Sequence, residues 1–354
     1  MPDKNSVYKN TGLCARCKVC REACESPVPI TMMPVCPAGI TYKFDSYYGT
    51  GRVTVARKYM EGVIDYNESL AKLVYSCTLC GACHVQCPIN GFDPTEVTRY
   101  LREEAAAKGF ASKYYSVPEE KPISYEIRAD SDIGLLAGCT NNGDETLVKN
   151  VAKLLKAAGV KFKTVSPAVG AYSVRKGDKE DFDRIKAGTT ESLKSAGIKE
   201  LIVYSPLDYK TLLLDYEQDS IKISFYTDYL VNLTFKALPS VKKVAYHDPA
   251  HLGRFTNYRD VPRQLLKKIE NLKLTEFKRA GANTLCSSSL PDCDEKIVAT
   301  VSSLRLAEAA DIGAEMIITS CFNCKRTLEK QAKLENLPIS VKETAEFLTE
   351  LLPE

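Results

Sequence analysis

The C-terminal two-thirds of the chain alternates between short apolar runs and longer segments with the hydrophobic periodicity of a helix. The apolar runs have the length of strands, and the helical segments end at glycine. In order, the pattern predicts a strand at 133–137, a helix at 145–158, a strand at 161–165, a helix at 180–196 and a strand at 201–204. Strands that alternate with helices are typical of a parallel sheet with helices on its faces. We therefore predict an α/β fold for this region.

The second half of this region repeats the first. Residues 195–212 align without gaps with residues 311–328, and the alignment places Ser205 over Cys321 and Asp208 over Cys324. Self-similarity of this kind indicates an internal duplication. We therefore predict two α/β repeats with parallel sheets, the first at 128–237 and the second at 238–354.

The N-terminal region has a helical pattern. The predicted helices are 50–62, 67–75 and Thr95–Lys108. The last of these is preceded by Asp93 as an N-cap, Pro94 at the first helical position and Glu96 as a capping-box residue. The pattern predicts an α-helical domain at 1–112, joined to the repeats by a polar linker at 113–127.

Two runs of cysteine in the helical region share the spacing C-x2-C-x2-C-x3-C. The first run is Cys14, Cys17, Cys20 and Cys24, and the second is Cys77, Cys80, Cys83 and Cys87. This spacing is typical of two-cluster ferredoxins, in which the fourth cysteine of each run ligates the other cluster. We therefore predict an α-helical ferredoxin with two [4Fe-4S] clusters and crossed ligands. One cluster would be held by Cys14, Cys17, Cys20 and Cys87, and the other by Cys77, Cys80, Cys83 and Cys24.

One ligand of this crossed set has an alternative. The first run ends Cys24-Glu25 where a Cys-Pro pair is usual, and a Cys36-Pro37 pair follows further along the chain. The spacing favours Cys24, and Cys36 is the second candidate. Zinc ribbons use two C-x2-C pairs per site and fit these runs poorly. No secretory signal precedes the cysteines, so disulfides are not expected.

Composition and charge narrow the class of protein. The chain has 354 residues, a formal net charge of +3 and 14 cysteines. The small net charge gives no general attraction to nucleic acid or acidic membranes, and no apolar run is long enough to cross a bilayer. No phosphate-binding loop or dinucleotide fingerprint occurs, so electrons must arrive from another subunit. We expect a cytoplasmic protein that reaches a membrane only through partner subunits.

Three segments of the second repeat resemble a known family. Tyr246–Arg254, Leu285–Ser289 and Ser320–Arg326 are similar to the three blocks of the cysteine-rich CCG domain of heterodisulfide reductase catalytic subunits. The same domain follows a two-cluster ferredoxin in the iron–sulfur subunits of glycolate oxidase, lactate-utilisation and anaerobic glycerol-3-phosphate dehydrogenase systems. The resemblance implies a non-catalytic electron-transfer subunit. It also implies that a flavoprotein dehydrogenase partner exchanges electrons with this chain. The chain would exchange electrons in turn with a quinone, a thiol or another carrier, or with a membrane or quinone-linked subunit.

The cysteine sets that this resemblance implies are incomplete in both repeats. In the family each repeat supplies five cysteines that can hold an unusual iron–sulfur cluster. The second repeat keeps three of these positions, namely Cys286, Cys321 and Cys324, and has Ala250 and Leu285 at the others. The first repeat keeps Cys139 and has Ala168, Val169, Ser205 and Asp208 at the others. Because apolar side chains cannot ligate iron, catalysis at intact clusters is not implied.

Three interpretations of the remaining cysteines stay open. The first is one metal site shared between the repeats, formed by Cys139, Cys286, Cys321 and Cys324. The second is a three-thiolate site for iron or zinc, completed by His247, His251 or Cys293. The third is that these cysteines are small buried residues without metal. Two rival functions accompany them: a thiol–disulfide reductase that acts at the C-terminal cysteines, and a C-terminal half that is only a docking scaffold.

Overall fold

The N-terminal part of the chain is helical in the computed structural model, which describes residues 3–23, 33–216 and 221–353. Its helices are α1 Lys4–Leu13, α2 Pro37–Tyr42, α3 Gly49–Met60, α4 Glu68–Tyr75, α5 Ala82–Val85, α6 Pro94–Ala107 and α7 Ala111–Tyr114. A short antiparallel pair, β1 (Glu22–Ala23) and β2 (Met33–Pro34), lies between α1 and α2. The predicted helical region is therefore confirmed.

Helix α6 shows why this region folds as the sequence predicts. The Asp93 carboxylate accepts a hydrogen bond from the Thr95 backbone N–H at 2.7 Å, and Pro94 occupies the first turn. The chain leaves the helix at Gly109, whose φ of +79° suits glycine. The helix packs against α3 and α4. Their shared core contains Val53, Ala56, Leu70, Val74, Val97 and Leu101.

The first α/β repeat contains a four-stranded parallel sheet in the order β4-β3-β5-β6. Its strands are β3 Ile133–Leu136, β4 Lys163–Val165, β5 Glu200–Val203 and β6 Lys222–Phe225. Its helices are α8 Glu145–Ala157, α9 Ala171–Lys176, α10 Lys179–Ser195 and α11 Pro206–Leu214. The short helix α9 and the edge strand β6 were not predicted from the sequence.

The second α/β repeat has the same topology. Its strands are β7 Lys242–Tyr246, β8 Leu272–Thr275, β9 Met316–Thr319 and β10 Ser340–Glu343, in the order β10-β9-β7-β8. Its helices are α12 Ala250–Gly253, α13 Asp260–Lys267, α14 Glu295–Asp311, α15 Phe322–Leu334 and α16 Thr344–Glu350. In both sheets the first strand pairs with the second and third, and the fourth pairs with the third at one edge. The predicted duplicated α/β fold with parallel sheets is therefore confirmed.

The three parts of the chain pack against one another. Residues of both sheets, such as Ile202 and Val244, belong to one hydrophobic core. A smaller cluster joins Tyr75 of the helical part to Leu207 of the first repeat and Leu290 of the second. Among the described residues, no helix combines the length and apolar character that a membrane span requires. The exact limits of the predicted domains stay a prediction.

Candidate iron–sulfur centres

The first cysteine group consists of Cys14, Cys17, Cys20 and Cys87. These four side chains line a common small cavity whose other walls include Val53. Burial raises the pKa of Cys20, and the nearby sulfurs of the other three add to this effect. The chain thus brings the first three cysteines of one run to the last cysteine of the other. Four thiols around an apolar cavity fit a [4Fe-4S] cluster.

The second cysteine group consists of Cys36, Cys77, Cys80 and Cys83. Cys36 immediately precedes α2, is buried and points its sulfur at the Tyr47 carbonyl oxygen, 3.6 Å away. Burial raises the pKa of Cys36 to about 12, and Cys80 and Cys77 contribute to the rise. Burial also raises the pKa of Cys83, with contributions from the other three sulfurs. Cys24, which the spacing favours as the fourth member, lies outside the described residues.

Gly49, at the start of α3, separates the two cysteine groups. A Cβ atom at this position would lie 2.7 Å from Cys83 Cβ and 3.6 Å from Cys20 Sγ. Any larger side chain would therefore push into both groups. In the sequence, this glycine is visible only as part of a Gly-x-Gly pair. Its role in keeping space for both cysteine groups becomes apparent only from the packing of α3 between the two loops.

Three buried arginines hold the backbone of the loop that carries Cys77 and Cys80. Arg102 of α6 donates to the Cys77 carbonyl oxygen at 2.5 Å, Arg175 of α9 to that of Thr78 at 3.1 Å, and Arg254 to that of Cys80 at 2.9 Å. They come from the helical part, the first repeat and the second repeat, respectively. All three parts of the fold thus position the second cysteine group.

Arg175 and Arg254 differ in whether a carboxylate neutralises their positive charge. Arg175 forms a bidentate ion pair with Asp292, with separations of 2.7 to 3.0 Å. Arg254 instead donates its remaining hydrogen bonds to the carbonyl oxygens of Ala282 and Thr284. Within the described residues it has no carboxylate partner. An uncompensated positive charge therefore lies beside Cys80 in a water-poor environment, where its field is strong.

The C-terminal cysteine site consists of Cys286, Cys321 and Cys324. Cys321 caps α15, because its sulfur accepts the Cys324 backbone N–H at 3.4 Å. The Ser289 hydroxyl donates to Cys324 Sγ, also at 3.4 Å. Hydrogen bonding from Cys321, and then from the nearby His247, holds the pKa of Cys324 well below its usual range. The structure thus brings together the three cysteines that the second repeat retains.

The second cysteine group is in contact with the C-terminal cysteine site. A hydrogen bond from the Cys286 thiol holds the pKa of Cys80 well below its usual range, and the same contact raises the pKa of Cys286. Cys80 and Cys286 also share an apolar cluster with Val35 and Ala250. Sulfur atoms of the ferredoxin part and of the second repeat therefore meet directly.

The three candidates for a fourth ligand of this site have different surroundings. His247 lies near Cys324, and its Nδ1 atom accepts a hydrogen bond from Arg305 Nε at 3.0 Å. His251 lines a different cavity, and Cys293 lies beside Arg175. Across the described ranges, no three His, Cys, Asp or Glu side chains converge tightly enough to coordinate a single metal ion. This criterion for a single ion does not apply to a cubane cluster, because a cluster is a wider cage and its ligands lie farther apart.

Cys139, the cysteine that the first repeat retains, lies beside Glu120 and Asp208. Its thiol donates to Glu120 at 3.3 Å and lines a cavity of about 170 Å³ with Asp208, Ala168 and Val169. This cavity is therefore built from positions at which the first repeat has lost its cysteines. Burial and the nearby Glu120 raise the pKa of Asp208 to about 7. Cys139 thus lies beside two carboxyl groups, and the shared site of Cys139, Cys286, Cys321 and Cys324 stays a prediction.

Comparison with known families agrees with this architecture. Residues 10–90 match the family described as a 4Fe-4S dicluster domain, and residues 244–329 match the family described as a cysteine-rich domain. The first match contains both cysteine groups. The second contains the C-terminal cysteine site and the residues around it.

Several curated proteins resemble most of the chain. A dihydromethanophenazine:CoB–CoM heterodisulfide reductase subunit from Methanosarcina mazei is 26% identical over 324 residues, covering 79% of this chain and 78% of that protein. A probable membrane-anchored ferredoxin from Chromohalobacter salexigens is 23% identical, covering 80% of this chain and 48% of that protein. A fumarate reductase (CoM/CoB) subunit from Methanothermobacter marburgensis is 21% identical, covering 75% of this chain and 58% of that protein.

A solved structure shares the fold. A hypothetical protein from Helicobacter pylori superposes with a TM-score of 0.56 at 14% identity, covering 86% of this chain and 68% of that one. Fold, cysteine groups and relatives together define an iron–sulfur redox protein that joins a dicluster domain to a cysteine-rich domain. More particularly, most of the chain is similar to heterodisulfide reductase subunits, in agreement with the resemblance that the motifs of the second repeat indicate.

Proposed function

We propose that this chain is a non-catalytic electron-transfer subunit that relays single electrons through two [4Fe-4S] clusters. The observation that carries this proposal is the placement of the two cysteine groups on either side of Gly49. Cys17 of the first group is exposed, whereas Cys80 of the second group is buried against the repeats. Such an arrangement suits a relay that leads from the surface to the interior.

The ligand sets follow from the two groups. Cys14, Cys17, Cys20 and Cys87 would hold the outer cluster, and Cys36, Cys77, Cys80 and Cys83 would hold the inner cluster. The clusters supply one-electron redox chemistry when bound. The protein supplies the apolar walls, the arginines behind the Cys77–Cys80 loop and the separation set by Gly49.

The partners follow by analogy with the relatives. Proteins named as parts of a heterodisulfide reductase and of a fumarate reductase resemble this chain, and so does a probable membrane-anchored ferredoxin. We propose that a flavoprotein dehydrogenase partner exchanges electrons with the outer cluster, where Cys17 reaches the surface. The inner cluster would exchange electrons with a quinone, a thiol or another carrier, or with a membrane-linked partner.

A thiol–disulfide reductase is the second candidate function. It is favoured by the contact between Cys80 and Cys286 and by the C-x2-C pair at the start of α15. Against it stands the burial of Cys321 and Cys324, which are 8% and 6% exposed. A disulfide substrate must reach a sulfur atom before a thiolate can attack it.

A reductive titration distinguishes the two functions. Anaerobically purified protein should take up about two electrons per chain, one for each cluster, and give the electron paramagnetic resonance signals of reduced [4Fe-4S] centres. Uptake of about four electrons per chain, with the further two assigned to a disulfide at the C-terminal cysteine site, would favour the reductase. The protein in which Cys321 is replaced (Cys321→Ser) serves as the control, because it should still take up two electrons if the relay is correct.

A further inference from the structure

A cavity lies where the three parts of the fold meet, and neither cysteine group nor the C-terminal cysteine site uses it. Its volume is about 280 Å³. It is lined by Leu79 and Arg99 from the helical part, Leu207 and Lys210 from α11, and His251 and Phe255 from the second repeat. We call it the junction cavity. Concave sites between domains, with apolar walls and a few polar groups, are typical places for small ligands.

One wall of the junction cavity is the loop of the second cysteine group. Leu79 lies between Cys77 and Cys80 and adopts a φ of +51°, which turns this part of the loop sharply. Phe255 packs against the same loop, since a Cβ atom at Gly81 would lie 2.6 Å from its Cζ. A molecule in the cavity would therefore be separated from the inner cluster only by the loop that holds it.

The polar side of the junction cavity offers donors that the protein does not satisfy. Lys210 Nζ donates to Asp215 at 2.9 Å, and an ammonium group has three donors. His251 has no hydrogen-bond partner within the described residues. Arg99 Nε is buried and also lacks one in that part of the chain. Burial, followed by the charge of Arg175, holds the pKa of His251 well below its usual range, so the ring is neutral near pH 7.

The charges around the junction cavity nearly cancel. Asp215 pairs with both Arg99, at 2.6 Å, and Lys210. Arg175 also lines the cavity and pairs with Asp292, and the carboxylates of Asp93 and Glu96 contribute to the walls. A strongly anionic ligand would therefore gain little Coulomb energy here. Unsatisfied donors beside apolar walls instead suit a neutral molecule with carbonyl oxygens as acceptors.

We propose that the junction cavity binds a quinone-class compound, which exchanges electrons with the inner cluster. This inference rests on the proposed function and names the carrier at its inner end. Reduction of one quinone to the hydroquinone would take two protons from solvent and two electrons, which a cluster held by Cys36, Cys77, Cys80 and Cys83 would supply one at a time. Lys210 and His251 donate hydrogen bonds to a carbonyl oxygen, and Leu79, Leu207 and Phe255 contact the ring. The reverse reaction would oxidise a hydroquinone, release two protons and pass two electrons, one at a time, to the clusters.

Binding of menadione, a quinone without a long tail, tests this inference. Calorimetric titration of the oxidised, cluster-loaded protein should give one site per chain. Lys210→Met and His251→Phe should each weaken binding at least about tenfold, because each removes one hydrogen bond and leaves a carbonyl acceptor unpaired in a buried site. Both variants should also slow the reoxidation of reduced clusters by menadione. Lys113→Met is the matched control, since this exposed lysine pairs with Glu68 outside the cavity.

The outcomes separate this inference from the proposed function. A protein that loads and reduces both clusters but binds no menadione, or binds it equally well in all variants, overturns the quinone site and leaves the relay intact. Displacement of menadione by lactate at similar concentration would overturn the choice of a neutral ligand. A protein without reducible clusters overturns the relay and, with it, the inference. His251→Phe leaves the Lys210–Asp215 pair in place, so it tests the site even if Lys210→Met is unstable.

Discussion

Replacing Cys36 by alanine should remove one of the two clusters, whereas replacing Cys24 by alanine should remove none. Cys36 is buried beside the sulfurs of Cys77, Cys80 and Cys83, and a cubane that loses one of four thiolates is held by only three. We therefore expect iron to fall from about eight to about four atoms per chain in Cys36→Ala. Iron and acid-labile sulfide, measured after anaerobic purification, check this directly.

The outer cluster is the internal control for the Cys36 variant. Its ligands, Cys14, Cys17, Cys20 and Cys87, are untouched, so its paramagnetic signal should persist and show that the helical part still folds. The opposite pattern, with full iron in Cys36→Ala and half in Cys24→Ala, would assign the fourth ligand to Cys24. Alanine is the better replacement because a serine oxygen retains a weak capacity to bind iron.

Replacing Arg254 by methionine should lower the reduction potential of the inner cluster by tens of millivolts and leave that of the outer cluster unchanged. Reduction adds negative charge to a cluster, and a nearby buried positive charge stabilises the reduced form. Arg254 donates to the Cys80 carbonyl oxygen and has no carboxylate partner among the described residues. Potentiometric titration followed by electron paramagnetic resonance resolves the two clusters and measures each potential.

Two further variants separate the charge of Arg254 from its packing. Arg254→Lys keeps the positive charge, so the reduction potential of the inner cluster should stay close to that of the unmodified protein. Lysine cannot reproduce all three hydrogen bonds of Arg254. Arg16→Met removes an exposed charge near the outer cluster, where water and salt screen it, and should shift neither potential measurably. Equal shifts of both clusters in Arg254→Met would show that the arginine acts on the overall fold and not through its field.

Much of the fold could be predicted because its signals are local. Asp93 and Pro94 mark the start of α6 in the sequence, and the helix begins there. The alternation of strands and helices predicted parallel sheets, and the alignment of 195–212 with 311–328 predicted their duplication. Both follow from rules that act over a few residues or from direct comparison of segments.

The site was less predictable because its partners are distant in sequence. Arg102, Arg175 and Arg254 reach one loop from three parts of the fold, and no spacing pattern connects them. Cys36 departs from the usual run spacing, so a rule based on spacing favours Cys24, and the choice between the two stays a prediction. Cys139 was grouped with the other cysteines by family position, whereas packing placed it beside Glu120.

The central claim is that the chain carries two [4Fe-4S] clusters. The measurement that tests it most directly is iron, acid-labile sulfide and zinc per chain in the full-length, anaerobically purified protein. We predict about eight iron atoms and about eight sulfides, without stoichiometric zinc. About four irons, or zinc in place of iron, would contradict the two-cluster relay.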